Sequence, residues 1–121
     1  MSWAVAFHGA FVPEFRRLPK QVQNEVYAMG RLLERFGPQL GRPHVDTLNG
    51  SRHSNMKELR LSTADGVWRV AFAFDPERRA VLLVAGEKSG GSQRRFYRAL
   101  IRKADERFDR HLARLPDEGG S

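Results

Sequence analysis

The segment Met56 to Phe74, MKELRLSTADGVWRVAFAF, constrains the fold most, because two alternating runs flank a polar Asp-Gly turn. Strand side chains alternate with period 2, so a run that alternates cleanly has one buried and one different face. In the first run Leu59 and Leu61 share a face with Lys57, while Glu58 and Arg60 take the other. In the second, Trp68, Val70, Phe72 and Phe74 form an apolar face, opposed by Val67, Arg69, Ala71 and Ala73. A hairpin is expected with its aromatic side in the core. The other side sets Arg60 and Arg69 beside alanines too small to cover them, and reads as a cationic hollow.

Around this hairpin the chain patterns as one α+β domain. Ser2 to His8 alternates, with Trp3, Val5 and Phe7 on one face, and reads as an N-terminal strand. Phe11 to Phe36 carries apolar residues at three-and-four spacing. Pro13 and Pro19 each suit a first helical turn, so a short helix followed by a longer one from about Pro19 is expected, ended by Gly37-Pro38. Pro38 to Asn55 shows no sustained period and reads as an ordered loop at best. Asp75 to Arg79 is a turn, and Ala80 to Gly86 is apolar enough for a central strand. Ser92 can cap a last helix with Phe96, Leu100, Ile101, Ala104, Phe108, Leu112 and Leu115 on one stripe. Arginines crowd the remaining faces of that helix.

At 121 residues the chain has room for one core, expected over residues 1–115, with 116–121 as a disordered tail. No apolar run is long enough to span a membrane and no signal-peptide pattern opens the chain, so a cytoplasmic protein is expected. Cysteine is absent, which removes thiolate nucleophiles and zinc-thiolate sites; with four scattered histidines, no metal site is expected. Lys and Arg number 21 against 14 Asp and Glu, a net charge of +7 that favours a polyanionic or acidic partner.

The order strand, two helices, loop, three-stranded antiparallel meander and basic C-terminal helix resembles the RelE/ParE toxin superfamily, most closely its HigB-like branch. The residues that carry the resemblance are ELR at Glu58 to Arg60, WRVAFAF at Trp68 to Phe74, and Lys88 after the last strand. It implies a RelE-like fold with helices on one sheet face and the other face left for RNA. It also implies a toxin of a type II toxin-antitoxin module, many of which cleave mRNA in the ribosome while others poison gyrase. The implied partners are a cognate antitoxin, such as a helix-turn-helix protein, and the ribosome with its mRNA; no cofactor is implied.

Metal-free RNA cleavage needs a base for the 2′-hydroxyl proton, cations for the pentacovalent phosphate and an acid for the leaving oxygen. By the resemblance, Arg69 matches the hairpin arginine and is assigned to the scissile phosphate, a task that suits a fixed, forked cation. Arg60 stands where RelE-like members place lysine, so it can bind phosphate but is a poor acid or base. Lys88 matches the basic position after the last strand. Glu58 or His53 could serve as base, the latter if the loop swings it over the hairpin; a solvated loop histidine is the alternative. Lys57, Arg94, Arg95 and Tyr97 are expected to contact RNA, with Tyr97 or Phe96 stacking on a base. Phe96 can equally belong to the core stripe, and Arg69 can simply pair with Glu58 across the hairpin.

Overall fold

The computed structural model describes residues 2–64 and 66–116; Asp65 of the expected turn and the tail residues 117–121 lie outside them. The chain runs β1 (Ala4–Phe7), α1 (Phe11–Arg16), α2 (Lys20–Phe36), β2 (Val45–Thr47), β3 (Met56–Thr63), β4 (Gly66–Phe74), β5 (Arg79–Glu87) and α3 (Gln93–Arg114). The expected break between the first two helices falls at Pro19, whose ψ of 145° stops α1 from continuing into α2. Gly37, at φ 57°, ends α2 in a conformation that glycine adopts without penalty. A single 3-10 turn, Gly37–Gln39, follows it.

The strands form one sheet in the order β1-β5-β4-β3-β2. Every neighbouring pair is antiparallel except β1 with β5. The hairpin register sets Leu59 opposite Val70, Leu61 opposite Trp68 and Arg60 opposite Arg69, so each expected face is continuous across both strands. On the aromatic face, Leu59, Leu61, Val70, Phe72 and Phe74 pack with Phe11, Phe15, Val22, Val26 and Leu33 of the first two helices, and Trp68 is partly buried at the margin. Phe72 is fully buried.

Two expectations fail. The loop from Pro38 to Asn55 contains β2, a three-residue edge strand paired with β3 through Val45–Leu59 and Thr47–Lys57. Three residues are too few to show a period, which is why the run reads as loop. Nor is the second face of the sheet left open. α3 lies on it, packing Leu100, Ala104 and Phe108 against Ala71, Ala73, Val81 and Leu83. The alanines that leave arginine uncovered in an isolated hairpin are what let a helix backbone approach, since small residues facing large ones let two layers interdigitate.

Ion pairs fasten α3 at intervals. Arg107, only 8% exposed, grips Glu14 of α1 with two hydrogen bonds of 2.9 and 2.6 Å and donates to the Leu83 carbonyl at 2.7 Å. The Arg107 hydrogen bonds hold the Glu14 carboxyl below its usual range against the opposing effect of burial. Further along, His111 bonds Asp75 at 2.8 Å, and Asp109 meets both Arg52 and His53.

Truncating Phe72 to alanine removes a fully buried ring between sheet and helices, and is expected to cost roughly 3–5 kcal/mol, a large share of a small domain's stability. Denaturant midpoints of wild type and Phe72→Ala check this; coincident midpoints would mean the core face is assigned backwards.

Candidate functional site

Gly90 and Gly91, at φ 59° and 64°, turn the chain from β5 into α3 through the left-handed region. Ser92 then starts the helix, its Oγ accepting from the Arg95 amide at 3.2 Å. This start places Tyr97, in the second turn, over the hairpin. The phenol oxygen accepts from Arg69 Nε at 3.3 Å, and the same nitrogen lies 3.7 Å from Glu58 Oε1. Arg69 Nη1 donates to the Trp68 carbonyl at 3.1 Å. Glu58 and Arg69 are 6% and 5% exposed. Burial pushes the Tyr97 phenol above its usual pKa; the hydrogen bond from Arg69 opposes this and the adjacent Glu58 adds to it. Lys88 places its Nζ 5.6 Å from the centre of the Tyr97 ring, within cation–π reach.

Beside this cluster a groove of about 290 Å³ runs between β2 and α3, lined by Asp46, Thr47, Leu48, Asn49, Glu58 and Tyr97. Asp46 accepts from Arg42 Nη2 at 2.6 Å and lies 3.9 Å from Arg60 Nη1. The bond from Arg42 is the main reason its carboxyl titrates below the usual range. Arg60 therefore reaches outward to the β2 edge, a third of its side chain in solvent, while its cross-strand neighbour Arg69 turns inward beneath Tyr97.

Residues 13–109 match the family described as Phage derived protein Gp49-like (DUF891). Two curated relatives are the candidate toxins HigB2 and HigB3 of Mycobacterium tuberculosis. The first is 46% identical over 101 residues, 83% of this chain and 50% of the relative. The second is 50% identical over 82 residues, 68% of this chain and 69% of the relative. The chain belongs to the Gp49-like family, within the RelE/HigB toxin superfamily. It spans half the length of the first relative and about two thirds of the second. Among solved structures, a double mutant of E. coli toxin RelE in the free state superposes with a TM-score of 0.57 over 85% of this chain and 97% of that one. At 12% identity that likeness establishes a shared RelE-like fold.

In this HigB-like chain the residues expected to act together separate into four groups. Glu58, Arg69, Tyr97 and Lys88 converge, with Arg60 at the edge of the same groove. His53 stands in a different network. Its Nε2 bonds Asp109 Oδ1 at 2.7 Å, its ring meets Phe108 edge-on at 4.9 Å, and its amide donates to Ser51 Oγ, which bonds Asp105. The loop swings His53 onto α3 as a fastening, not over the hairpin as a base. Lys57 lies opposite Phe72, on the face away from Tyr97, as its alternation required. Arg94 and Arg95 are exposed at the head of α3. A cationic hollow shared by Arg60 and Arg69 is not what forms, because Tyr97 and Glu58 take up the Arg69 guanidinium.

Asp46, Thr47 and Asn49 escaped sequence reasoning because β2 did. The sequence does carry one signal for them: Asp46 follows Arg42 by four residues, a spacing at which opposite charges meet when the chain turns on itself.

The fastening by Asp75 gives a pH dependence. Its side chain is fully buried, and burial opposes the charge; hydrogen bonds from His111, the Arg79 amide and side chain and the Glu77 amide outweigh burial and hold its pKa below the ordinary value. A carboxyl whose folded pKa is depressed contributes stability that is complete above the unfolded value, about 3.9, and is lost as pH falls through the folded one. The midpoint difference between wild type and Asp75→Asn should therefore be largest near neutrality and narrow as pH drops below about 4. A difference that holds constant down to low pH would place the Asp75 contribution outside its charge.

Proposed function

We propose that residues 1–115 form the toxin of a type II toxin-antitoxin module, acting in the cytoplasm as a metal-independent, ribosome-dependent mRNA endoribonuclease that inhibits translation. Membership of the HigB-like family supports the toxin reading. The observation that carries the nuclease reading is the cluster in which the Tyr97 phenol, the Glu58 carboxylate and the Arg69 guanidinium meet beside a groove, with Lys88 at the phenol ring and Arg60 at the groove's edge.

In this reading Arg60 and Lys88, both half-buried at the margin of the cluster, neutralise the scissile phosphate. Tyr97 meets a nucleobase, as aromatic side chains do in single-stranded RNA recognition. Arg69 is a positioning residue: from beneath, it fixes the Tyr97 hydroxyl and faces the Glu58 carboxylate. Arg94 and Arg95 extend the positive rim along the RNA path. General acid–base groups contribute on the order of 10² to 10⁴ in rate, and positioning can contribute more, so a site with few well-placed proton carriers can rely on the ribosome to orient the message. The net charge of +7 would equally draw an acidic segment of a cognate antitoxin, expected to be a helix-turn-helix protein, onto the same rim.

One observation favours a second reading. Arg69 is buried and paired with Glu58, which also fits a basic binding module that keeps the fold without the chemistry.

Induction of the chain alone in a bacterial host should arrest growth and create new RNA 5′ ends inside translated reading frames, reproduced by purified ribosomes with message and not by free RNA. Arg60→Ala combined with Lys88→Ala should lower the cleavage rate by about 10²–10³ while leaving the denaturant midpoint near wild type, as for removal of transition-state donors from an accessible position. Growth arrest with gyrase-linked DNA breaks and no new RNA ends would transfer the protein to a non-catalytic gyrase-type inhibitor. Absence of both would leave the binding module.

A further inference from the structure

β1 borders only the first part of β5, pairing with Arg79 to Leu82. A bulge follows at once: Ala71 faces Val84 and Phe72 faces Leu82, so Leu83 is an extra residue in β5. A bulge bends the strand that carries it and can terminate its pairing. The Leu83 carbonyl is taken by the Arg107 guanidinium at 2.7 Å. Beyond it the ladder with β4 resumes, and a bond of 2.7 Å from the Lys88 amide to the Val67 carbonyl fixes its phase. Alternate residues of an antiparallel strand bond a given neighbour, so Val84 and Gly86 face β4 while Ala85 and Glu87 turn their N–H and C=O groups outward. Among the described residues no strand lies on that side of them. Such an unpaired row is a template for another strand.

The same edge borders a groove of about 350 Å³, walled by Val84, Phe96, Ala99 and Leu100 with Arg102 and Lys103 at its rim. Here α3 runs antiparallel to β5, since Phe96 packs over Gly86 and Arg107 reaches Leu83. Lys103 therefore stands toward the Val84 end and Glu87 marks the other. Arg102 and Lys103 are exposed and form no salt bridge among the described residues; Glu106 is taken by Arg110 and Glu14 by Arg107.

We propose that the edge from Val84 to Glu87 accepts an extended acidic peptide segment of a partner protein as a further strand, its backbone bonded to Ala85 and Glu87. This surface lies on the other flank of α3 from the groove beside Tyr97, and the inference does not depend on the nuclease reading. Residues two apart on one face of a strand are separated by about 7 Å. One apolar side chain of the segment fills the groove against Phe96 and Leu100, and an acidic one two positions away meets Lys103 and Arg102. Main-chain bonds supply affinity, and the pocket with its cationic rim supplies selection, as in other strand additions. A nucleic-acid backbone has no alternating donors and acceptors to match Ala85 and Glu87. The edge ends beside Lys88, so a seated segment adjoins the candidate site.

Hydrogen exchange on the full chain, followed by nuclear magnetic resonance, tests the edge first. In the free protein the amides of Ala85 and Glu87 should exchange at least about tenfold faster than those of Val84 and Gly86. The probe is then a capped heptapeptide of threonine, with valine at its centre and glutamate two positions to either side, so that either strand direction sets a glutamate at Lys103. It should slow exchange at Ala85 and Glu87 and shift the signals of Phe96, Ala99 and Leu100. Of two N-methylated versions, one methylated on odd and one on even residues, only one should bind, because a strand turns alternate amides toward its neighbour. Lys103→Glu should weaken the glutamate peptide by about two- to fivefold and favour a lysine analogue, the range of an exposed charge pair. The exchange and peptide comparisons use the wild-type chain and stand whether or not that variant folds. Slow exchange of Ala85 and Glu87 in the free chain, as in a dimer joined edge to edge, would overturn the proposal. So would no binding of the peptide, equal binding of both methylated versions, or its displacement from these amides by a single-stranded oligonucleotide.

Discussion

Seating α3 on the small-residue face of the sheet is the constraint on which the rest of this structure depends. Ala71 and Ala73 keep the middle of β4 low, and Ala104 does the same for the helix, so Leu100 and Phe108 reach Val81 and Leu83. A sheet with a packed face on each side needs two separate cores, and this chain builds both: phenylalanines of α1 and α2 against the aromatic face, and the α3 stripe against the alanines. Three of the buried residues of the second core are alanines, and charge-assisted hydrogen bonds supplement it at several points along the helix. Tyr97 bonds Arg69 near the start, Asp105 and Asp109 hold the Ser51–His53 loop, and Arg107 and His111 reach Glu14 and Asp75 toward the end.

This seating decides which positive charges can act on a partner. A guanidinium buried against a carboxylate and a phenol is spent on structure; one that reaches past the sheet edge remains available. Arg69 and Arg107 fall in the first class, at 5% and 8% exposure. Arg60, Arg94, Arg95, Arg98 and Arg102 retain access to solvent, so the cationic surface follows the rim of α3 and the β2 edge, not the centre of the sheet. The same geometry explains why the groove beside Tyr97 has an acidic lining inside a basic protein: its cations are turned beneath the floor or beyond the edge.

Periodicity carried the elements that are long enough to repeat. The faces of the hairpin, the helix break at Pro19, the cap at Ser92 and the α3 stripe were all legible because each rests on a local rule that packing reinforces. What was not legible depends on distant pairing. β2 has three residues and acquires its identity from β3. The role of His53 comes from Asp109, 56 positions away. Arg69 posed the harder case, because its strand position correctly gave its face, yet whether that face is open depends on where α3 lands. An apolar stripe predicts that a helix will be buried, and does not say against which face.

In the free protein α3 and Tyr97 close over Arg69, while Arg60 and Lys88 keep part of their surface in solvent. Arginine modification by phenylglyoxal and lysine acylation, read residue by residue by mass spectrometry on the native chain, test it directly. The structure predicts ready modification of Arg60 and Lys88 and protection of Arg69 until the protein is unfolded. Modification of Arg69 as fast as Arg60 under native conditions would contradict the account and restore an open cationic face.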